Sequence, residues 1–388
     1  MEKHTGTQSF GEYSSLLFSY IFNMYDMFVL ATGFVAMLLI LPLMLKRDRS
    51  NADYTLSGFL LGQGVVAIYT VFYYNKNLNA DTIEFFYPFH FAPFFIIYGT
   101  QGILLYWCSK AMMGENPNFL SKKSLSVACV LFLSIASNIW MDKDPYAKNY
   151  GISLVILASM SVYFGIVAIR QMQRFDTQIK ATYSNVDKLK LDWMRYCATG
   201  FVLVWIIGLI CFFCGILGYS QVASKLGTVN NIPPLILVTC MVVFSQSVAN
   251  IAEVTLPLEH ENTKDSAWEE SPEIIEQLNN LMLNVKVYQD PDLRLEGLAD
   301  SLGVSERRVS MIINRHHNKN FYDFVNEYRV MDAAEQLKLH DAKSKTIQRV
   351  FEDAGFNSKS TFNTLFKKIT GQTPSDFRKS SNQSVCVN

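Results

Sequence analysis

Residues Val350 to Lys379 read VFEDAGFNSKSTFNTLFKKITGQTPSDFRK. Ile347, Val350 and Phe351 precede Gly355, and Phe356, Phe362, Leu365 and Phe366 follow it, at spacings that give two short amphipathic helices around a tight turn. That is the layout of a helix-turn-helix. Gly355 supplies the backbone freedom for the turn, and Ser358 stands where a hydroxyl can cap the free amides of the second helix. The outward face of that helix carries Lys359, Ser360, Asn363, Thr364, Lys367 and Lys368, donors suited to base edges and phosphates. Its acidic neighbours, Glu352 and Asp353, belong to the preceding helix. A solvated charged face would present the same residue types, and short patterns of this kind recur by chance, so this stretch alone leaves both readings open.

The layout occurs once more upstream, in LRLEGLADSLGVSERRVSMIINRHHNKNF from Leu293 to Phe321. Leu295, Leu298, Ala299, Leu302, Val309, Ile312 and Ile313 form its core stripe, Gly303 marks the turn and Ser305 the cap, and Arg307, Arg308, Ser310, Met311, Asn314 and Arg315 face outward. Between the two units, Phe321 to Leu339 reads as one helix with Phe324, Val325, Tyr328, Ala333, Ala334 and Leu337 on its apolar side. Such a helix would hold the units at a fixed separation. Two recognition helices on one rigid body can enter successive major grooves about 34 Å apart, so one chain can read what a dimer of single motifs otherwise reads.

Residues from about Leu278 to Lys379 resemble the DNA-binding domain of AraC/XylS-type transcription regulators. The second unit carries the resemblance at Gly355, Phe356, Ser358, Phe362, Phe366, Lys367, Lys368, Gly371, Thr373, Pro374, Phe377 and Arg378. The first carries it at Leu298, Ala299, Leu302, Val304, Ser305, Phe321, Phe324 and Arg329. The resemblance implies base-contacting roles for Arg307, Ser310 and Met311 in the first unit and for Lys359, Ser360, Asn363 and Thr364 in the second. It further implies promoter DNA and RNA polymerase as partners, a bacterial host, and no enzymatic activity or cofactor. One position departs from the family: Phe351 stands where a small Ala is usual, at the close approach of two helices. A benzyl group there is expected to overpack or to shift a helix.

The remaining chain has a different character. Of 388 residues half are hydrophobic and 18% charged, too apolar for two ordinary soluble domains, and the apolar excess lies before residue 253. Formal net charge is zero, so any DNA-binding surface has to be local. From Ser305 onward there are 14 Lys and Arg against 9 Asp and Glu, whereas Glu253 to Glu276 holds eight acidic residues and one Lys. The seven cysteines are scattered, mostly through apolar runs. Cys211 and Cys214 form a CxxC with no second pair, which reads as small apolar residues in a membrane helix, and no metal site is expected.

Seven runs free of Asp, Glu, Lys and Arg follow the N-terminal lead: Phe28–Leu45, Tyr54–Tyr74, Phe85–Cys108, Ser124–Trp140, Tyr150–Ile169, Tyr196–Tyr219 and Ile232–Ala252. Each approaches the roughly 20 residues that cross a bilayer's hydrocarbon core. The first is too long for a secretory signal, lacks a small-residue cleavage site and carries its cations after the apolar run, so it is expected to be retained. The first, third and fifth loops hold 12 basic residues, against 5 in the lead and the even loops. By the positive-inside rule the N-terminus is expected outside and the C-terminus in the cytoplasm, the side where a DNA reader must be.

The fold expected is therefore all-α, a seven-helix transmembrane bundle followed by a cytoplasmic double helix-turn-helix domain, in a multi-pass protein of the bacterial inner membrane. The expected boundaries are 1–252 for the membrane-spanning sensor region, 253–270 for an acidic connector, 271–379 for the reader, and 380–388 for a disordered tail. Ile274, Ile275, Leu278, Leu281, Met282 and Val285 form a stripe that should pack on the first unit. In the fifth loop, Met172, Phe175, Ile179 and Tyr183 recur at helical spacing, so the neighbouring spans should continue into the cytoplasm. That loop reads either as a lever touching the reader or as a basic collar on anionic lipid head groups.

His90, in FFYPFHFAPFF, lies opposite Tyr69 and Tyr73, and with Phe86 these residues outline an aromatic outward pocket for a small-molecule or membrane-derived signal, or else an interfacial aromatic belt. A second copy of the chain is a further candidate partner. The functional expectation is a membrane-bound one-component transcription regulator. Its rival is a transporter or receptor whose helix-turn-helix domain is only an interaction module, and proteolytic release of the reader is a third course. Against the rival, no span carries the charges of an ion-coupled pathway and no nucleotide-binding or metalloprotease motif appears.

Overall fold

Chain composition separates two kinds of helix: apolar ones of roughly 20 residues or more, and shorter amphipathic ones. In the computed structural model, which describes residues 24–75, 91–141, 148–187, 191–245, 272–338 and 345–385, regular structure is helical throughout apart from a single bridge between Tyr183 and Arg294. The chain divides into two compact units. One comprises Met1–Gln173 and Leu191–Glu253, and the other comprises Arg174–Lys190 and Val254–Asn388.

The first unit contains α1 (Met24–Leu38), α2 (Ile40–Leu45), α3 (Asn51–Tyr74), α4 (Phe91–Met112), α5 (Lys122–Met141), most of α6 (Lys148–Thr182), α7 (Asp192–Ile216), α8 (Ser220–Asn230) and α9 (Ile232–Ser245). Among the described residues, five helical stretches are long and apolar enough to cross a membrane: Asp26–Leu45, Asn51–Val71, Gly151–Thr182, Asp192–Ile216 and Ser220–Val243. The third and fourth apolar runs fall on α4 and α5, which are helical but are not among those five.

Local chemistry explains the breaks. The first span is interrupted at Leu39 because Pro42 brings no amide to the ladder and its ring crowds the preceding turn. Ser50 and Asp53 close a capping box that starts α3. The expected sixth loop is largely helix instead. Gly218, with φ of +86°, reverses the chain after α7, and Ser220 begins α8 at once, continuing past a turn at Asn231 into α9. Within this unit α3 packs on α1 and α4, α4 on α5, and α7 on both α8 and α9.

The second unit contains α10 (Pro272–Asn280), a wide π turn at Leu281–Val285, α11 (Leu295–Leu302), α12 (Glu306–His317), α13 (Phe321–Lys338), α14 (Ile347–Asp353), α15 (Lys359–Thr370) and α16 (Pro374–Val385). Leu278, Met282, Leu295, Leu298, Val309, Ile312, Ile313, Phe321 and Phe324 form one buried cluster, with Ile274, Ile275 and Leu281 packed against it. Val285, expected in that stripe, is 59% exposed because the π turn rotates it off the α-helical register. The last helix runs to Val385 and does not end near Lys379, so the expected disordered tail is helical over most of its length. Pro374 stands at the first position of that helix, where its missing amide costs nothing.

Candidate nucleic-acid interface

Each helix pair is built as its turn chemistry requires. Gly303 takes φ of +65° after α11, and the Ser305 hydroxyl accepts from the Arg308 amide to start α12. In the second pair the Ser358 hydroxyl accepts from the Thr361 amide, and Gly355 takes φ of +91°. A Cβ at Gly355 would lie 2.5 Å from the Tyr288 carbonyl oxygen, so close backbone approach as well as the turn demands glycine. The spacer helix α13 packs on α12 of the first pair and on α14, α15 and α16 of the second, which makes the two pairs one body.

Phe351 packs into the core of the second pair. Its buried ring stacks on Phe362 at 5.6 Å between centroids and 29° between planes. Phe356 and Phe366 each lie 5.3 Å from Phe362, and Phe377 lies 5.3 Å from Phe366. The extra ring is absorbed into an aromatic cluster, each contact worth about 0.5–1.5 kcal/mol beyond its area.

Lys359, Ser360, Asn363, Thr364, Lys367 and Lys368 are all exposed on α15, while Phe362, Leu365 and Phe366 turn inward. On α12, Arg307, Asn314 and Arg315 are exposed and Arg308, Ser310 and Met311 are partly covered. Both outward faces thus present the donors anticipated from sequence. The Thr364 hydroxyl donates back to the Ser360 carbonyl at 2.9 Å, which leaves its oxygen as an acceptor and its methyl group outward. Of the expected aromatic pocket, His90, Phe86 and the Tyr73 side chain lie outside the described residues, and Tyr69 lies on α3.

A residue that the sequence marked only as part of the resemblance is buried in this unit. Arg329 on α13 is 1% exposed, and its guanidinium donates to Tyr288 O (2.7 Å), Asp290 O (2.7 Å), Asn326 Oδ1 (3.2 Å), Ser184 O (3.3 Å) and Ser184 Oγ (3.1 Å). Burial lowers its pKa to about 10, still protonated at neutral pH, and five acceptors compensate the lost hydration. Two of those acceptors come from the fifth loop.

The loop residues are seated rather than draped. The Ser184 hydroxyl donates to Leu293 O at 2.6 Å, Asn326 Nδ2 donates to Ser184 O at 3.0 Å, and the Arg294 guanidinium lies 5.2 Å from the Tyr183 ring centroid. The Thr361 hydroxyl, in the first turn of α15, donates to Asp187 Oδ1 at 2.6 Å. Phe175, Ile179, Tyr183, Ser184 and Val186 are all buried. Burial pushes the Tyr322 phenol up to about 12, with the Asp187 carboxylate adding to the effect.

Residues 298–380 match a protein family described as "Helix-turn-helix domain". The C-terminal domain is an AraC-type helix-turn-helix domain. Two curated relatives each align over about a quarter of the chain. A probable transcription factor, PqrA, from Proteus vulgaris is 25% identical over 97 residues, which are 25% of this chain and 77% of that protein. An uncharacterized HTH-type transcriptional regulator in the cgkA 5' region of Pseudoalteromonas carrageenovora is 28% identical over 102 residues, 26% of this chain and 58% of its own length. A solved structure of a protein of unknown function from Listeria innocua aligns at 24% identity over 28% of this chain and 97% of that one, with a TM-score of 0.24, a likeness that decides nothing further.

Proposed function

We propose that this protein is a membrane-anchored transcription regulator whose AraC-type domain reads promoter DNA under the control of its apolar helices. The observation that carries the control is the seating of residues 183–187 against Arg329, Asn326, Leu293 and Thr361. That turn joins α6 and α7, two helices with the length and apolarity to cross a membrane. Of the two readings of the fifth loop, contact with the reader is thereby favoured over a collar on lipid. The Arg307 to Arg315 face of α12 and the Lys359 to Lys368 face of α15 would take two adjacent major grooves, with Arg307, Ser310, Met311, Asn363 and Thr364 toward base edges.

The full set of seven spans, an outside N-terminus and a cytoplasmic reader in a bacterial inner membrane belong to this proposal. So does a signal received by the spans, which acts only through its differential affinity for two arrangements of them. The test is DNA binding by the whole chain in lipid nanodiscs, comparing DNA from upstream of its own gene with scrambled DNA over a salt series. A footprint covering two adjacent grooves, weakening steeply with salt, is expected. Equal binding to both DNAs would sink the regulator reading and promote the transporter or receptor reading. If chains lacking residues 1–173 gave the same promoter response to every stimulus, the sensing half would fail.

A further inference from the structure

The apolar unit holds a partly open cavity of about 190 Å³ between α3, α4, α7, α8 and α9. A cavity of about 150 Å³ lined by aliphatic and aromatic groups already holds benzene, so this one has room for a six-membered ring with one or two further heavy atoms. Its wall carries four aromatic residues, Phe59, Tyr98, Phe201 and Trp205: Tyr98 meets Trp205 edge-on at 4.5 Å, and Phe201 lies 5.8 Å from Trp205. No Asp, Glu, Lys, Arg or His is among the residues lining it. An ion would therefore be stripped of water with nothing to neutralise it.

The polar groups on the wall are few, and Gln63, Gln101, Thr70 and Asn231 are engaged in hydrogen bonds. Gln63 donates to Gln101 Oε1 at 2.8 Å, and Gln101 donates to Ile97 O at 2.9 Å. The Thr70 hydroxyl donates to Val66 O, and the Asn231 amide donates to Gly227 O, both at 2.7 Å. Asn230 is different. Its Nδ2 donates to Val204 O at 3.1 Å, which fixes the amide, and its Oδ1 is buried with no donor. Gly208 sits beside it, where a Cβ would reach only to 3.9 Å from Asn230 Nδ2, so the missing side chain leaves this corner open. Tyr98 and Gly208 also line an adjoining cavity of about 570 Å³, which offers a way in.

We infer that this cavity binds a small uncharged ring compound, the ring lying among Tyr98, Phe201 and Trp205 and an O–H or N–H group donating to Asn230 Oδ1. A hydrogen bond to an otherwise unpaired buried acceptor changes affinity by about tenfold. This inference deepens the proposed function and rests on it for the ligand's role as a signal. Trp205 and Gly208 lie on α7, which begins at Asp192, just after the segment carrying Ser184 and Asp187. From Asp192 to Trp205 the chain is continuous helix, about 20 Å long, so the cavity wall and the segment that carries the turn are neighbours along one stretch of chain.

The test uses the full chain in lipid nanodiscs and ¹⁹F NMR of three probes: 4-fluorophenol, fluorobenzene and 4-fluorobenzoate, with empty discs measuring partition into lipid. Expected is saturable binding of 4-fluorophenol above the empty-disc level, about tenfold tighter than that of fluorobenzene, with no binding of 4-fluorobenzoate. Asn230→Leu should remove the advantage of the phenol, and Gly208→Leu should abolish binding of both neutral probes. Partition identical to empty discs, or binding untouched by both substitutions, would overturn the site. If Asn230→Leu does not fold, the comparison of 4-fluorophenol with fluorobenzene on the unaltered chain still decides the donor requirement. DNA affinity read in the same discs separates the two claims. Saturable phenol binding that leaves DNA affinity unchanged supports the site and refutes its signalling role; a stimulus-dependent DNA response in discs that bind no phenol overturns the site and leaves the regulator standing.

Discussion

Replacing Ser184 with Ala should loosen the seated turn while leaving the reader folded. The substitution removes two hydrogen bonds: the one from Ser184 Oγ to Leu293 O at 2.6 Å and the one from Arg329 Nη2 to Ser184 Oγ at 3.1 Å. The first is worth about 1 kcal/mol and the second, being charge-assisted, about 1.5–3 kcal/mol. Both figures are discounted because neither partner is orphaned. Arg329 Nη2 keeps Asp290 O at 2.7 Å, and Leu293 O keeps the Ser184 amide at 3.3 Å. A net loss of about 2 kcal/mol remains, a factor of about 30 in the equilibrium between seated and unseated turn. Hydrogen exchange on the full chain in nanodiscs reads that equilibrium directly. Amides of residues 179–187 should exchange about 30-fold faster, and those of α13 should not change. Unaltered protection of 179–187 would refute the energetic weight given to Ser184. Equal loss along α13 would mean that the reader's core had been damaged instead.

Three further outcomes are expected. Arg307→Ala or Asn363→Ala should cost about 1–3 kcal/mol on the preferred DNA and little on scrambled DNA, whereas Lys367→Ala should weaken both and lower the salt slope by about 1. Gly355→Ala should destabilise the reader by about 2 kcal/mol or more, seen as a lower denaturant midpoint, because φ of +91° disfavours a Cβ that would also press on the Tyr288 carbonyl. That carbonyl is an acceptor for Arg329, so the strain should reach the seated turn as well. Tyr322 should withdraw stability as pH rises from about 10 to about 12, because in this window the unfolded chain releases its proton while the folded chain, whose phenol is pushed up to about 12, keeps it; Arg329, lowered to about 10 by burial, acts in the opposite sense over the same range, so the Tyr322 part is read as the difference between the chain and its Tyr322→Phe variant. Absorbance of the phenolate alongside a folding signal checks this, and Asp187→Asn should narrow the window.

Much of the reader was legible because its determinants are local. Gly303, Ser305 and Ser358 act within a few residues of their own positions, and the stripe from Leu295 to Ile313 is set by helical spacing. The partner of Phe351 was not legible, because the stack it makes with Phe362 depends on where α15 comes to rest. The clasp on Arg329 was hidden for another reason. Its partner Ser184 stands 145 positions away, and one serine among polar loop residues carries no pattern. The sequence marked Arg329 as a matching residue and Tyr183 as part of a helical stripe, but nothing in either implied that they belong to one buried cluster. The helix at Ser220–Asn230 could have been anticipated, since Val222, Leu226 and Val229 recur at helical spacing; its polar residues and Lys225 directed the reading toward a loop.

Because Ser184, Asp187, Arg329 and Thr361 all lie on one polypeptide, the turn and the reader meet at an effective concentration fixed by covalent linkage rather than by expression level. Linkage of this kind typically supplies concentrations in the millimolar range, so a contact with an intrinsic Kd of about 1 μM would be closed about a thousand times as often as it is open. A change of about 1.4 kcal/mol at either end then moves its open-to-closed ratio tenfold. Under the proposed function, a clasp built from a few hydrogen bonds is weak enough for a ligand or DNA to open. A tighter one would hold the reader in a single state.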